Sequence, residues 1–480
     1  MIKNYLFKLL LGLTLTILIS KINLAQNSQT LYYMNRIPQA TLMNPAIQPS
    51  CNFFLGLPAI SSIQVGVGNN QFGLTDIIMQ NPNNDSLITF LHPDAEFDKS
   101  DFLDKLDENN FFFEDFQTDL LSFGFRANSW YFSFNLSEKV SVSLNYPKDL
   151  MVLALNGNES FFNETADLSM LGVNLLSYRE YGLGISKKIG NDLTIGIRAK
   201  VLFGHVSVVT DNRSLGFYSS LDSIYINANT YVNTSSPMIP KTTPEGEFDG
   251  FDEPTNFDAV DYALQHNNMG LGVDLGVYYK PISKLALSLS VIDLGYIKWD
   301  TDVTNLKLSG NFTFKGIDYG NQIINDTVGD PFSTIIDSLE NSFKITNKSK
   351  SYTTGLGTKI YFGTSWLISQ KFDLSFLYRG YFLNEQLNSA YTFSANARAA
   401  RWLTTTVSYS IMNGTYNNIG FGLVLGGAPL QLYLITDNAS AALWGHKTSS
   451  VNFRFGLNIN IGCRQKSKDK DIPLFRRGFF

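Results

Sequence analysis

The stretch 181–205, YGLGISKKIGNDLTIGIRAKVLFGH, restricts the fold more than any other part of the chain. It reads as two alternating strands joined by Ile189, Gly190, Asn191 and Asp192. In the second strand Leu193, Ile195, Ile197, Ala199, Val201 and Phe203 share one face. Thr194, Gly196, Arg198, Lys200 and Gly204 share the other, with Leu202 the one large apolar residue among them. Alternation of period two marks a strand whose two faces meet different solvents. The run exceeds the usual soluble strand of about 5–6 residues, and about 9–11 tilted residues cross a bilayer. Apolar side chains outside and Gly, Arg and Lys inside are the pattern of a transmembrane β-barrel.

Composition agrees. Only 16% of residues are charged, where a soluble domain carries about 25%. Aromatic residues make up 14%, which suits barrel walls and interfacial girdles. A net charge of -5 implies no strong basic face, so no nucleic acid is expected as a partner. The first 25 residues read as a signal peptide: Lys3 and Lys8, an apolar run over 9–19, and Asn23, Leu24 and Ala25 before a cut at Gln26. The apolar run is shorter than the ~20 residues of a helical span. No other stretch approaches that length, so a membrane-embedded mature chain must close its sheet to pair every backbone group. Secretion permits a disulfide between Cys51 and Cys463, but two free thiols are the leading expectation.

Fourteen strand candidates run from 117–126 to 451–461. They include 129–137 and 140–147 as two separate strands with a turn at Ser137, Glu138 and Lys139. The even count and the alternation of short and long connections fit an outer-membrane barrel, with the close pair Ala127 and Asn128 as the exception. The expected fold class is therefore all-β: a transmembrane antiparallel β-barrel of about 14 strands, in the outer membrane of a Gram-negative cell, both termini periplasmic. The β-like pieces 213–232 and 302–315 are expected as hairpins above the membrane; as wall strands they would raise the count to sixteen or eighteen. Residues 74–119 are too acidic and irregular for membrane wall.

Chemistry-bearing positions are few. Placing Leu183, Val142 and Phe453 toward lipid turns Arg126, Arg198, Lys200, Asp274, Asp373, Arg379, Arg398 and Arg454 inward. Such a set suits either an anionic head group, which Arg grips with two donors, or a structural ladder of ion pairs. Trp130, Tyr131, Tyr278, Tyr279, Tyr296, Trp299, Trp366 and Trp402 lie near strand ends, as an interfacial girdle requires. His205 and Ser207 fall on one lipid-facing face at the spacing used by barrel phospholipases, without a third partner; chance accounts for the pair better, and no enzyme activity is expected. The acidic loop 245–253 lacks calcium-loop spacing, and no metal or cofactor motif is present.

Asn44, Pro45 and Ala46 shortly after the signal, the hairpin at 181–200, LGVDLGVYYKPISKLALSLSVIDLGYIKW and GFGLVLGGAPLQLYLITDN resemble the FadL-type outer-membrane superfamily of long-chain fatty-acid transporters. The chain looks closest to an uncharacterised, domain-of-unknown-function branch that includes PorV-like components of the type IX secretion system. The resemblance implies a fourteen-strand barrel with an N-terminal plug holding Asn44, Pro45 and Ala46, and a hydrophobic small-molecule ligand that leaves through a gap in the wall. The expected layout is a signal peptide at 1–25, a plug or periplasmic segment at 26–116, the barrel at 117–462 and a basic periplasmic tail at 463–480. Passive uptake of hydrophobic or amphipathic molecules is the leading functional expectation. A secretion or surface-assembly barrel that docks protein partners is the alternative, and membrane lipid is a partner in both.

Overall fold

In a computed structural model of the protein, the period-two pattern becomes one closed wall. The structure describes residues 29–463, apart from 85, 91, 93–94, 245, 247, 253–257, 315–341, 384–385, 401, 413–414 and 441–448. The expected signal peptide, all but the first residue of the basic tail, and part of the acidic loop lie outside the described residues.

The fourteen wall strands are β1 (Phe53–Gly56 continued by Ser61–Asn69), β2 (Asn109–Ala127), β3 (Trp130–Pro147), β4 (Gly172–Ile189), β5 (Leu193–Ser219), β6 (Met269–Ile282) and β7 (Leu285–Trp299), followed by β8 (Tyr352–Gly355 continued by Thr358–Ser369), β9 (Phe372–Leu383), β10 (Gln386–Ala400), β11 (Leu403–Met412), β12 (Thr415–Gly426), β13 (Leu430–Thr436) and β14 (Ser450–Ile461). Each pairs antiparallel with its neighbour in sequence. The ring closes where β1 meets β14, with Phe53 opposite Ile461 and Ile63 opposite Phe455. Closure leaves no unpaired edge, the condition for a sheet in lipid. Leu183, Leu275, Leu289, Phe393, Val407 and Phe453 are exposed on the outer face, which lipid rather than water suits.

The count of fourteen agrees with expectation, but two assignments differ and cancel. Residues 129–137 and 140–147 are one strand, β3, because Ser137, Glu138 and Lys139 stay in register with Glu180, Arg179 and Tyr178. Three adjacent polar residues imitate a turn, yet Ser137 and Lys139 face the lumen and find partners there. The missing strand is β1, which sequence reading placed in the plug; the wall begins at residue 53, not 117. Its alternation is broken near Pro58, where Ala59 and Ser62 take positive φ. With β3 whole, the turn between β2 and β3 joins the other short turns, and the exception at Ala127 disappears.

Six short turns lie at one end of the barrel, and the long connections lie at the other together with the two short links from β9 to β10 and from β11 to β12. β5 has 27 residues, which at about 3.3 Å per residue reach ~90 Å, far beyond a hydrocarbon core of about 30 Å. Its upper part pairs with Ile224–Ser235, which pairs with Val303–Phe314, which in turn pairs with Phe343–Lys348. This crown of extra strands stands above the long-loop end of the wall. Beside it, α1 (Lys99–Lys105) and α2 (Lys148–Asn156) pack around Phe72, Phe102 and Tyr146. Asp98 caps α1, accepting from the backbone N–H groups of Ser100 and Asp101.

Residues 29–50 run inside the ring. Leu31, Tyr32, Tyr33, Met34, Ile37, Ala40, Met43 and Ile47 form one buried cluster with Ile292, Tyr361, Leu377, Val424, Tyr433 and Ile435 of the wall. The segment leaves at the short-turn end, where Cys51 forms a disulfide with Cys463 just past β14, in place of the two free thiols expected. Among the described residues no helix is long and apolar enough to cross a membrane.

Candidate functional site

The plug fits because the wall is cut away for it. A Cβ on Gly196 would stand 2.3 Å from the Pro45 carbonyl, and one on Gly276 would stand 2.2 Å from the Asn44 side-chain oxygen. Asn44 Oδ1 accepts from the Ala46 N–H at 2.9 Å, closing a side-chain turn over Pro45. Asn44 Nδ2 donates to the Tyr32 hydroxyl at 3.2 Å. The Asp437 carboxylate, which follows β13, accepts from the backbone N–H groups of Gln29 (2.9 Å) and Thr30 (2.8 Å) and from the Thr30 hydroxyl (2.6 Å). Gln39 and Asn458 exchange side-chain hydrogen bonds of 2.8 and 3.0 Å. A buried polar plug is tolerated only when its donors and acceptors are matched, and here the wall matches them at Gln29, Thr30 and Gln39.

On the long-loop side of Leu42 and Met43 a cavity of about 390 Å³ remains. Its lining includes Gln64, Asp115, Lys139, Glu180, Arg198, Lys200, Asp293, Lys359 and Arg454. The cations converge on few carboxylates. Lys200 Nζ lies 2.6 Å from Asp293 Oδ1, 2.7 Å from Asp274 Oδ1 and 3.6 Å from Glu180 Oε2. Lys139 pairs with Glu180 at 2.6 Å, and Lys359 with Asp293 at 2.8 Å. Asp293 holds this position through a bulge: its φ is +58° and its N–H donates to Asp274 Oδ1 at 2.8 Å. Left-handed backbone is tolerated by Asp better than by most residues. Arg198 Nη1 stands 3.7 Å from Asp274. Arg454 donates to Gln64, while its Nε and Nη1 have no hydrogen-bond partner.

The expected inward residues separate into groups. Arg198, Lys200 and Arg454 line the cavity, and Asp274 lies behind Lys200. Arg379 is fully buried but does not belong to the lining. Arg126 bonds Gln48 and the Pro49 carbonyl of the plug at the short-turn end. Arg398 is also at that end, 3.5 Å from Asp373 and 3.0 Å from the Gln370 carbonyl. Sequence reading missed Lys139, Glu180, Asp293 and Lys359. Lys139 was assigned to a turn, and Asp293 enters only through the bulge, which shifts the alternation.

Two other expectations are corrected. Trp130, Tyr279, Tyr296, Trp366 and Trp402 are exposed as a girdle requires, but Trp299, Tyr131 and Tyr278 point inward. Trp299 packs with Leu202 and Ile297, and its Nε1 donates to the Thr354 hydroxyl. His205 and Ser207 do not share a face. A bulge opposite Ser177 and Tyr178 puts Ser207 beside Leu176, which lines the cavity. His205 instead bonds Glu138, which pairs with Arg179, and both neighbours of Glu138 along β3 point inward.

The sequence profile described as a family of unknown function, DUF5723, matches residues 45–437. No curated protein matches. Among solved structures, the toluene transporter TbuX of Ralstonia pickettii aligns at 9% identity and a TM-score of 0.41, covering 88% of this chain and 94% of that one. A FadL homologue of Pseudomonas aeruginosa aligns at 9% identity and 0.40, covering 89% and 94%. The toluene transporter TodX of P. putida aligns at 10% identity and 0.37, covering 88% and 94%. These are likenesses at low score.

Proposed function

The chain belongs to the DUF5723 family, and we propose that it is an outer-membrane receptor-channel for passive uptake of small amphipathic molecules, not an enzyme. The observation that carries this is the cavity above the plug, about 390 Å³ with Arg198, Lys200, Lys359 and Arg454 on its walls. A ligand of anionic head and apolar tail meets cations there, and Arg454 still has two unbonded guanidinium nitrogens. The long-loop end, with the crown and the helical layer, faces outward in this reading, and the short-turn end, where Cys51 is joined to Cys463, faces the periplasm. Dodecanoate serves as the probe. The purified wild type retains it in native mass spectrometry, and Lys359→Gln with Arg454→Gln weakens it at least tenfold. Unchanged affinity in the double variant removes the cavity from the proposal.

A second reading, a barrel that docks protein partners, draws on the plug itself. Residues 29–50 are hydrogen-bonded into the wall and tethered at Cys51, which suits a closed platform. Stoichiometric protein co-purifying with an empty barrel favours that reading.

A further inference from the structure

The two ends of this barrel carry different charged clusters. At the long-loop end the stretch 96–108 carries Glu96, Asp98, Asp101, Asp104, Asp107 and Glu108 against Lys99 and Lys105. At the opposite end, three turns that follow one another around the rim carry Lys284 and Lys371 in the second and third and have Lys187 beside the first, all exposed. The first turn joins β4 to β5, the second β6 to β7, the third β8 to β9. β5 pairs with β6 and β7 with β8, so the turns are neighbours two strands apart. Two strand spacings are about 10 Å, which puts the three ammonium groups on an arc of roughly 20 Å. None of the three forms an ion pair among the described residues. The one exposed acid in these turns is Asp192.

Exposed aromatic rings interleave with the lysines. Trp130 lies under Lys187 with its ring centroid 4.6 Å from Nζ. Tyr279 and Trp366 stand near the second and third turns. Rings of this type settle at the head-group level of a bilayer, so the lysines beside them stand where lipid phosphates are. We propose that this arc is a docking surface for anionic phospholipid head groups, separate from the lumen cavity. The proposal rests on the reading that this end faces the phospholipid leaflet. The acidic stretch 96–108 repels the same lipid, although the crown strand Phe343–Lys348 at that end carries exposed Lys344 and Lys348.

The test uses the full-length protein in detergent with phosphatidylglycerol or phosphatidylethanolamine of matched chains, read by native mass spectrometry. Each cation near an anionic surface contributes about fivefold in binding, so wild type prefers phosphatidylglycerol by up to about a hundredfold. Lys187→Gln, Lys284→Gln and Lys371→Gln together remove the preference, and the corresponding Arg triple keeps it. Wild-type preference also falls as salt is raised from 0.01 to 1 M, where the screening length shrinks from about 30 to 3 Å. Equal retention of both lipids, a preference that survives the Gln triple, or no salt dependence overturns the proposal. So does loss of the preference in Arg454→Gln alone, which places the lipid in the lumen. If dodecanoate fails to bind the wild type while the rim preference persists, the uptake reading fails and this one stands.

Discussion

Truncating Asp437 tests whether the plug is held by the wall or merely lies in it. Asp437→Ala deletes the acceptor of three hydrogen bonds in a site with no solvent access. The Thr30 hydroxyl keeps Ser408 Oγ at 2.8 Å, so its loss is largely compensated. The backbone N–H groups of Gln29 and Thr30 are left buried without their acceptor. Each such group costs about 1–3 kcal/mol, so the start of the plug loosens by about 2–6 kcal/mol. At about 1.4 kcal/mol per decade, amide exchange across residues 29–34 accelerates by roughly 30-fold to 10⁴-fold. Hydrogen exchange with mass-spectrometric readout of the peptide over 29–34 measures this directly, while a peptide from the centre of β9 serves as the internal reference. Asp437→Asn retains one acceptor oxygen and falls between the two. Unchanged exchange at 29–34 in Asp437→Ala refutes the idea that Asp437 fastens the plug.

Two further substitutions probe the cavity floor and the ion cluster. Gly276→Val sets a Cβ 2.2 Å from Asn44 Oδ1 and 2.9 Å from the Ala46 nitrogen, so the plug must shift at an expected cost of about 1–3 kcal/mol; exchange at 44–47 should rise, whereas Gly355→Val, with nothing within 4 Å, should leave it unchanged. Asp293→Asn keeps the left-handed bulge but removes the charge shared by Lys200 and Lys359, and the folded barrel should lose about 3–5 kcal/mol in a denaturant titration from vesicles; an unmoved midpoint shows that the lysines find other partners.

The wall was legible because lipid imposes a strict alternation on every strand that it touches. Arg198, Lys200 and Arg454 followed from that rule and do line the cavity. Errors arose where the alternation is locally broken. Bulges at His205 and Asp293 shift the faces by one residue, and a one-residue slip exchanges inside for outside. β1 was left out of the wall because Pro58 and the left-handed residues Ala59 and Ser62 break its alternation, although residues 53–68 read as a strand or hairpin. Glu138 and Lys139 looked like a turn because polar neighbours in sequence usually mean solvent. The plug has no periodicity of its own: its conformation is dictated by partners such as Asp437 and Asn458, about 400 positions away in the chain.

The seam between β1 and β14 sets a calendar for assembly. The two strands that close the ring are the first and last of the wall, and the plug immediately precedes the first. Their pairing brings together segments separated by nearly the whole chain, so it carries the largest loop-closure entropy in the molecule. Ring closure is therefore expected late in folding, with residues 29–50 already within the curling sheet. The plug is thus enclosed as the sheet closes, and the Cys51–Cys463 bond clips the two ends of the wall together across the same seam.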